Sequence, residues 1–354
     1  LAAVTSNNAD ITLNATTGNL ALNANANAGS GVMRLRAASG DVVQTAGVVT
    51  ATDLRADASG SVVLPNANSV TGQVAGIAGG SFGLRTAGAV TVGSVAGHAE
   101  VGTAAIDGIT AGQNIALRTD DGNLTVGNKL QAATGIVGLL ANASDASTIN
   151  FSSTSAVISR NGTDPVAGLI LRADNAALVS GAVNTNILAA AVAAGGKTGS
   201  AAASDNLIAF AHNNVKAVGI NNNPAVAADR AGVNYELRRA TGDLVVGNVG
   251  AATANSSGST VTVPGIAGIT ANEVRLEATA GAVSQNARVS AATLLGVRAR
   301  DSITLTDTGN VVGLNSSAAL LGLTSTSAGV QFTEASGGYS IGTISAGDDI
   351  AQIN

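Results

Sequence analysis

The segment RLRAASGDVVQTAGVVTATDLRADASGSVVLPNANSVTG, residues 34–72, returns 241 residues later as RLEATAGAVSQNARVSAATLLGVRARDSITLTDTGNVVG, residues 275–313. Laid together without a gap, the two agree at sixteen of thirty-nine positions, among them Leu35/Leu276, Gly40/Gly281, Gln44/Gln285, Val48/Val289, Leu54/Leu295 and Leu64/Leu305. A catalytic motif is short and occurs once. A long pattern repeated mainly at apolar and glycine positions is architectural, and it restricts the chain to folds built from recurring units.

Strand-like pieces follow one another every nine to twelve residues: ITLNA (11–15), LALNA (20–24), VMRLRA (32–37), DVVQ (41–44), TATDLRA (50–56) and SVVL (61–64). Each alternates apolar with small or polar residues, the period of a half-buried strand. Between them lie TTGN, AASG, DASG and PNAN, read as turns in which Asn, Asp and Gly adopt positive φ. The apolar content is Val, Ile, Leu and Ala, with 2% aromatic residues, 45 glycines and 4 prolines. A globular enzyme draws core volume from Phe, Tyr and Trp, whereas thin stacked β-layers require small side chains.

An antiparallel sandwich would need two-residue Asn-Gly or Asp-Gly hairpins. Asp121-Gly122 and Asn161-Gly162 fit, but most turns do not. The reading is therefore all-β: a parallel β-helix over 1–354, irregular and insertion-rich around 141–235. A coil of ~20 residues, near the short end of solenoid periods, makes the repeat about twelve coils long and the chain about 18 coils. Inward Val, Leu, Ile and Ala should stack in columns, with Asn or Thr ladders at the turns. GITAGQNIALRT (108–119), GITANEVRLEAT (268–279) and TISAGDDIAQI (343–353) share a β-branched pair, a small-residue turn and an alternating strand, and 169–188 echoes the opening stretch. Residues 189–206 read as a loop or short helix leaving the array. The first and last segments read as parts of one continuing pattern, so both ends should expose unpaired strand edges unless more chain or another copy covers them.

A hydrophobic fraction of 45% with 11% charge is the opposite of a disordered composition. Net charge is −5, and Arg238-Arg239 is the one adjacent basic pair, which argues against nucleic acid and anionic membranes as partners. Without cysteine there is no disulfide or thiolate chemistry. The longest apolar runs, such as ILAAAVAA (187–194), are too short to span a bilayer. Leu1 begins neither as an initiator nor as a signal peptide, so the chain reads as a piece of something longer.

The phrases SGDVVQTAGVVTATDLRADASGSVVLPNANSVTGQVAG, GSFGLRTAGAVTVGSVAG and GITAGQNIALRTDDGNLTVG resemble the repeat region of filamentous-haemagglutinin-like exoproteins of bacterial two-partner secretion. The resemblance spans most of the chain and is strongest at 30–135 and 268–354. It implies a right-handed parallel β-helix that serves as the shaft of an adhesin or contact-dependent toxin. It also implies secretion to the cell surface through an outer-membrane pore partner, and contact with a host or neighbouring cell or with further copies end to end. The family's N-terminal secretion domain and a C-terminal toxin module have no counterpart here.

Candidate chemistry is sparse. Glycoside cleavage needs two carboxylates across a groove, but Asp120-Asp121 and Asp348-Asp349 are adjacent and point to opposite faces of a strand. These four would also be the first ligands for a structural calcium ion, although the GGxGxDxUx repeat is missing. His98 and His212 are too few for a histidine-rich metal site. GIAGG (76–80) and AAGGKTGS (193–200) imitate phosphate loops without the full spacing, and there is no GxSxG elbow. Asn-x-Ser/Thr triplets begin at Asn14, Asn123, Asn142, Asn150, Asn161, Asn255 and Asn315. No catalytic, cofactor or metal site is assigned. The competing reading is a carbohydrate-binding or carbohydrate-cleaving β-helix such as a lyase or phage spike, against which six aromatics in the whole chain argue; an ice-binding face would need regular Thr rows that TVTVPG and TSTS do not supply.

Overall fold

A computed structural model describes residues 2–353 apart from 100–101, 142–148, 153–155, 160–167, 174–176, 180–181, 185–186, 193–205, 214–216, 222–232, 240–241, 258, 264–265, 314–317 and 349. Among these the regular structure is β, with no α-helix. The chain forms two compact units, the first comprising 1–161, 169–174 and 253–262, the second 162–168, 175–252 and 263–354. Most of the loop at 189–206 lies outside the described residues, and Ile187–Val192 is a strand.

In the first unit successive turns of the chain pair in parallel. One interior column runs Leu20, Val42, Val62, Phe82, Ile115, Val137 and Leu169, and these side chains are buried. A second column holds Ile11, Met33, Leu54 and Val74. Strand alternation places them: in Val32–Ala37, Met33, Leu35 and Ala37 face the interior while Arg34 and Arg36 face outward. In the second unit Leu244, Val283, Ile303 and Val330 stack likewise, as do Leu237, Leu276, Val297 and Leu323. Each fully buried Leu or Val contributes roughly 1.5–3 kcal/mol, so stability accrues turn by turn.

The solenoid has about eleven turns rather than 18. Compact turns do take twenty residues, as from Val62 to Phe82. Others carry insertions: Phe82 pairs with Ile115, Val137 with Leu169, and Leu244 with Val283. Parallel pairing demands register only within the strands, so a connecting loop can lengthen without disturbing the column beneath it.

At one corner of the first unit a polar ladder replaces side-chain stacking. Asn19 Oδ1 accepts the Asp41 N–H (2.8 Å), Asp41 Oδ1 the Ser61 N–H (2.6 Å), and Ser61 Oγ the Ser81 N–H (3.1 Å). Ser81 Oγ then accepts the Asn114 N–H (3.3 Å) and Asn114 Oδ1 the Ile136 N–H (2.9 Å). The residues at this corner are Asn, Asp and Ser, each of which places a short acceptor within reach of the next turn's amide. The second unit has the same contact from Asp243 Oδ1 to the Ala282 N–H (2.9 Å).

A polar clasp recurs in the two units beside the repeated apolar positions. PNAN is not a turn but lies within the strand Val62–Val70. Asn68 Oδ1 there accepts from Gln44 Nε2 (2.7 Å) and the Val49 N–H (2.8 Å), while its Nδ2 donates to Leu64 O, Asn66 O and Arg85 O. Asn310 repeats this in the second unit, accepting from Gln285 Nε2 (2.8 Å) and the Val289 N–H (2.8 Å) and donating to Leu305 O and Thr333 O. Both asparagines are fully buried. The clasp supplies partners for main-chain groups that the corner leaves unpaired.

Two other sequence expectations change. In 268–279 no turn separates the β-branched pair from the strand; Ile269–Ala278 runs straight through with a bulge between Ala271 and Glu273. Asp121-Gly122 makes a corner, not a hairpin, between strands that each pair in parallel with other turns, with Gly122 at φ 81° and its carbonyl accepting from Thr119 Oγ1 (2.9 Å). Near the two termini, among the described residues, Val4–Thr5 pairs with Ala26–Asn27 alone, and Tyr339–Ser345 pairs with Ala319–Ser325 and is largely exposed.

Candidate interaction face

Two arms leave the solenoid at corresponding points. After VG the chain departs at Ser94–Val95 and returns through Ile106–Asp107, antiparallel to it. After the later VG it departs at Asn248–Val249 and returns at Ile266–Ala267, again antiparallel. The re-entry glycines, Gly108 (φ 74°) and Gly268 (φ 70°), are left-handed and press on the carbonyls of Lys129 and Arg288. A side chain fits neither position.

The first arm roofs an outward face of its own unit. The ladder sets Arg34, Arg55 and Ala75 side by side on adjacent strands, pointing away from the interior. Arg34 Nε donates to Ala96 O (3.1 Å) and Arg55 Nη1 to Ala104 O. Beneath the arm Ala75 is fully buried, and Arg34 and Arg55 are only 7% and 5% exposed. Each guanidinium also has a carboxylate, Asp10 (2.8 Å) and Asp57 (2.7 Å) respectively. The Val32 N–H and then Arg34 hold the Asp10 carboxyl below its usual range. Burial pushes Asp57 up despite Arg55.

The tip of the second arm, 253–262, covers another outward row of the first unit. That row is Val43, Val63, Gly83, Ala116, Gly138 and Ile170. Ala254 and Val261 seat over Gly138, where an added Cβ would come within 2.5 Å of Ala254 Cβ, and Ser256 fills the space a side chain at Gly83 would need. Asn114 Nδ2 donates to Asn255 O (3.1 Å). Gly83 and Gly138 leave the room that Ser256, Ala254 and Val261 occupy.

Among the described residues, one outward face of the second unit carries no covering arm. Arg275, Gly296, Gly322 and Thr343 follow one another across its strands. Above them lies a concave groove of about 330 Å³, with Arg298 and Thr324 along one side. Arg275 bonds Glu273 (2.6 Å) and Arg238 bonds Glu277 (3.1 Å), while Arg298 has no ion pair among the described residues. Leu320, two residues before Gly322 on the same strand, stands 47% exposed.

The acidic residues singled out from sequence have separate surroundings where they are described. Asp120 is gripped by Arg85 (2.7 Å) and Arg118 (3.0 Å). Burial alone would raise its pKa, but Arg85 and then Arg118 outweigh that and hold it lowered. Asp121 and Asp348 are exposed, and Asp349 lies outside the described residues. Among the described residues no three His, Cys, Asp or Glu come together as metal ligands. His98 is tied into the first arm by its N–H to Thr103 Oγ1 (3.0 Å); His212 lies on the strand Asn206–Asn213. GIAGG is strand and turn packed on the preceding turn, with the Gly79 N–H on Ala58 O and the Gly80 N–H on Gly60 O. AAGGKTGS lies outside the described residues, as do Asn142, Asn161 and Asn315. Of the other triplet asparagines, Asn14 and Asn123 are exposed, Asn150 is half-buried and exposed Asn255 sits on the second arm. Among the described residues no helix is long and apolar enough to cross a membrane. No protein-family model, curated protein or solved structure matches the chain.

Proposed function

We infer that this chain is a stretch of shaft from a large secreted bacterial surface protein, a right-handed β-helix that holds adhesive or effector parts at a distance and performs no catalysis. The observation that carries the reading is the unbroken interior column from Leu20 to Leu169, which keeps its register across insertions of very different length. Continuous main-chain pairing resists bending, and loops added at the corners decorate the surface without altering the spacer beneath. The likeness of the repeats to filamentous-haemagglutinin-like exoproteins agrees with this, and on that likeness an outer-membrane pore would export it. Contacts along such a spacer are individually weak and gain strength by multivalency.

Beads coated with the chain are expected to be retained on epithelial or bacterial cell layers under flow, with retention rising more steeply than coating density. Retention no better than that of albumin-coated beads, or cleavage of any member of a polysaccharide panel, would overturn the assignment.

A further inference from the structure

We propose that Asp121 is a site of spontaneous main-chain modification, at which the Gly122 nitrogen attacks the Asp121 side-chain carboxyl and converts the linkage to isoaspartate. The inference does not rest on the adhesive reading. The sequence holds two Asp-Gly steps, Asp107-Gly108 and Asp121-Gly122. Chemically the two are alike, since in both a glycine without a side chain leaves the attacking nitrogen unshielded. The fold separates them.

At the first step both reactants are held. The Gly108 N–H donates to Gly93 O (2.8 Å), and Ser94 Oγ donates to Asp107 Oδ1. Gly108, at φ 74°, is wedged against Lys129 O, and the pairing of Ser94–Val95 with Ile106–Asp107 fixes the segment that enters it. An amide held in this way reacts only when local opening releases it.

At the second step neither reactant is held. Among the described residues the Gly122 N–H and the Asp121 carboxylate have no hydrogen-bond or ion-pair partner, and Asp121 is exposed. The groups on either side are anchored instead. The Asp120 N–H donates to Thr86 O (2.9 Å) and its carboxylate is taken by Arg85 and Arg118. Gly122 O accepts from Thr119 Oγ1 (2.9 Å), and Asn123 O accepts the Val90 N–H (3.0 Å). The corner thus stays folded while it presents the reacting pair to water. Gly122 is also the residue the corner requires, because at φ 81° an added Cβ would lie 3.0 Å from Ala89.

The nitrogen lone pair adds to Cγ of the neutral carboxyl, the nitrogen loses its proton, and the carboxyl hydroxyl leaves as water, closing a succinimide ring. Water then adds to one ring carbonyl. Opening at the Asp121 main-chain carbonyl leaves Gly122 joined to Cγ as isoaspartate, whereas opening at Cγ restores aspartate. One water is released and one taken up, so the mass is unchanged and no oxidant or reductant takes part. The product carries one extra methylene in the main chain of this corner.

The full chain is held for weeks in mildly acid buffer, folded or unfolded in guanidinium chloride as judged by circular dichroism. It is then digested with trypsin and mapped by electron-transfer fragmentation, which distinguishes the β-linkage. The two steps fall on separate peptides, 86–118 and 119–129. In the folded chain isoaspartate is expected to accumulate at Asp121 at least tenfold faster than at Asp107, and in guanidinium the two rates should converge. Asp121→Glu, which would have to close a larger ring, should abolish the conversion. Asp121→Asn, from which ammonia leaves in place of water, should hasten it and reveal it by a gain in mass. The proposal fails if Asp121 of the folded chain does not convert, or if Asp107 keeps pace with it there. It fails too if the difference persists in guanidinium, since flanking sequence and not the fold would then set it.

Discussion

From fully buried positions the side chain of Asn68 serves five residues and that of Asn310 four. Removing such an amide loses its own hydrogen bonds and strands a buried N–H and several carbonyls, at about 1–3 kcal/mol for each group left unsatisfied. Asn310→Ala is therefore expected to destabilise the second unit by about 3 kcal/mol, read as a lower urea midpoint and faster amide exchange at Val289. Carboxylates act at the same scale. Asp10 and Asp120 have folded pKa values below their unfolded ones, so their contribution is whole above the ordinary carboxylate pKa near 4 and fades as pH falls through the lowered value. Asp57 is raised and runs the other way, the folded state gaining relative stability as it protonates. Between pH 6 and pH 3 the wild-type urea midpoint should drop, and the drop should be smaller in Asp120→Asn. An equal drop in both would show that Arg85 and Arg118 do not set the acid limb.

At the scale of elements, strands are interchangeable and arms are not. Any alternating stretch with a small acceptor at the corner can join the ladder. An arm, by contrast, needs its floor made in advance at outward positions several turns away. Gly138→Leu is expected to lift the tip at 253–262, since Ala254 and Val261 already occupy the space. Limited proteolysis should then cut within that tip while the strands Phe82–Thr86 and Val137–Ala141 keep their amide protection. Loss of protection in the strands as well would mean that the tip is part of the core and not a cover.

At the scale of the molecule, each turn touches chiefly the turns before and after it, so a local defect should stay local. The sequence announces this organisation. Alternation at period 2, small aliphatic residues and a long repeat at apolar positions are consequences of stacking, and they survive in any single strand. The number of turns was not legible, because insertions such as 94–107 and 248–267 share the composition of the strands they interrupt. Neither was the clasp: Asn310 does the work of Asn68, yet in gapless comparison it falls opposite Ser69, one residue out of phase. A bend in a corner can absorb that slip while the amide still reaches its partners. What the sequence determined by itself was the class of fold, since side-chain periodicity is a local property of the chain. Which outward faces are roofed depended on where each arm lands, a contact between residues up to 194 apart such as Ser256 and Val62. No local pattern encodes that contact; only the folded structure brings its two sides together.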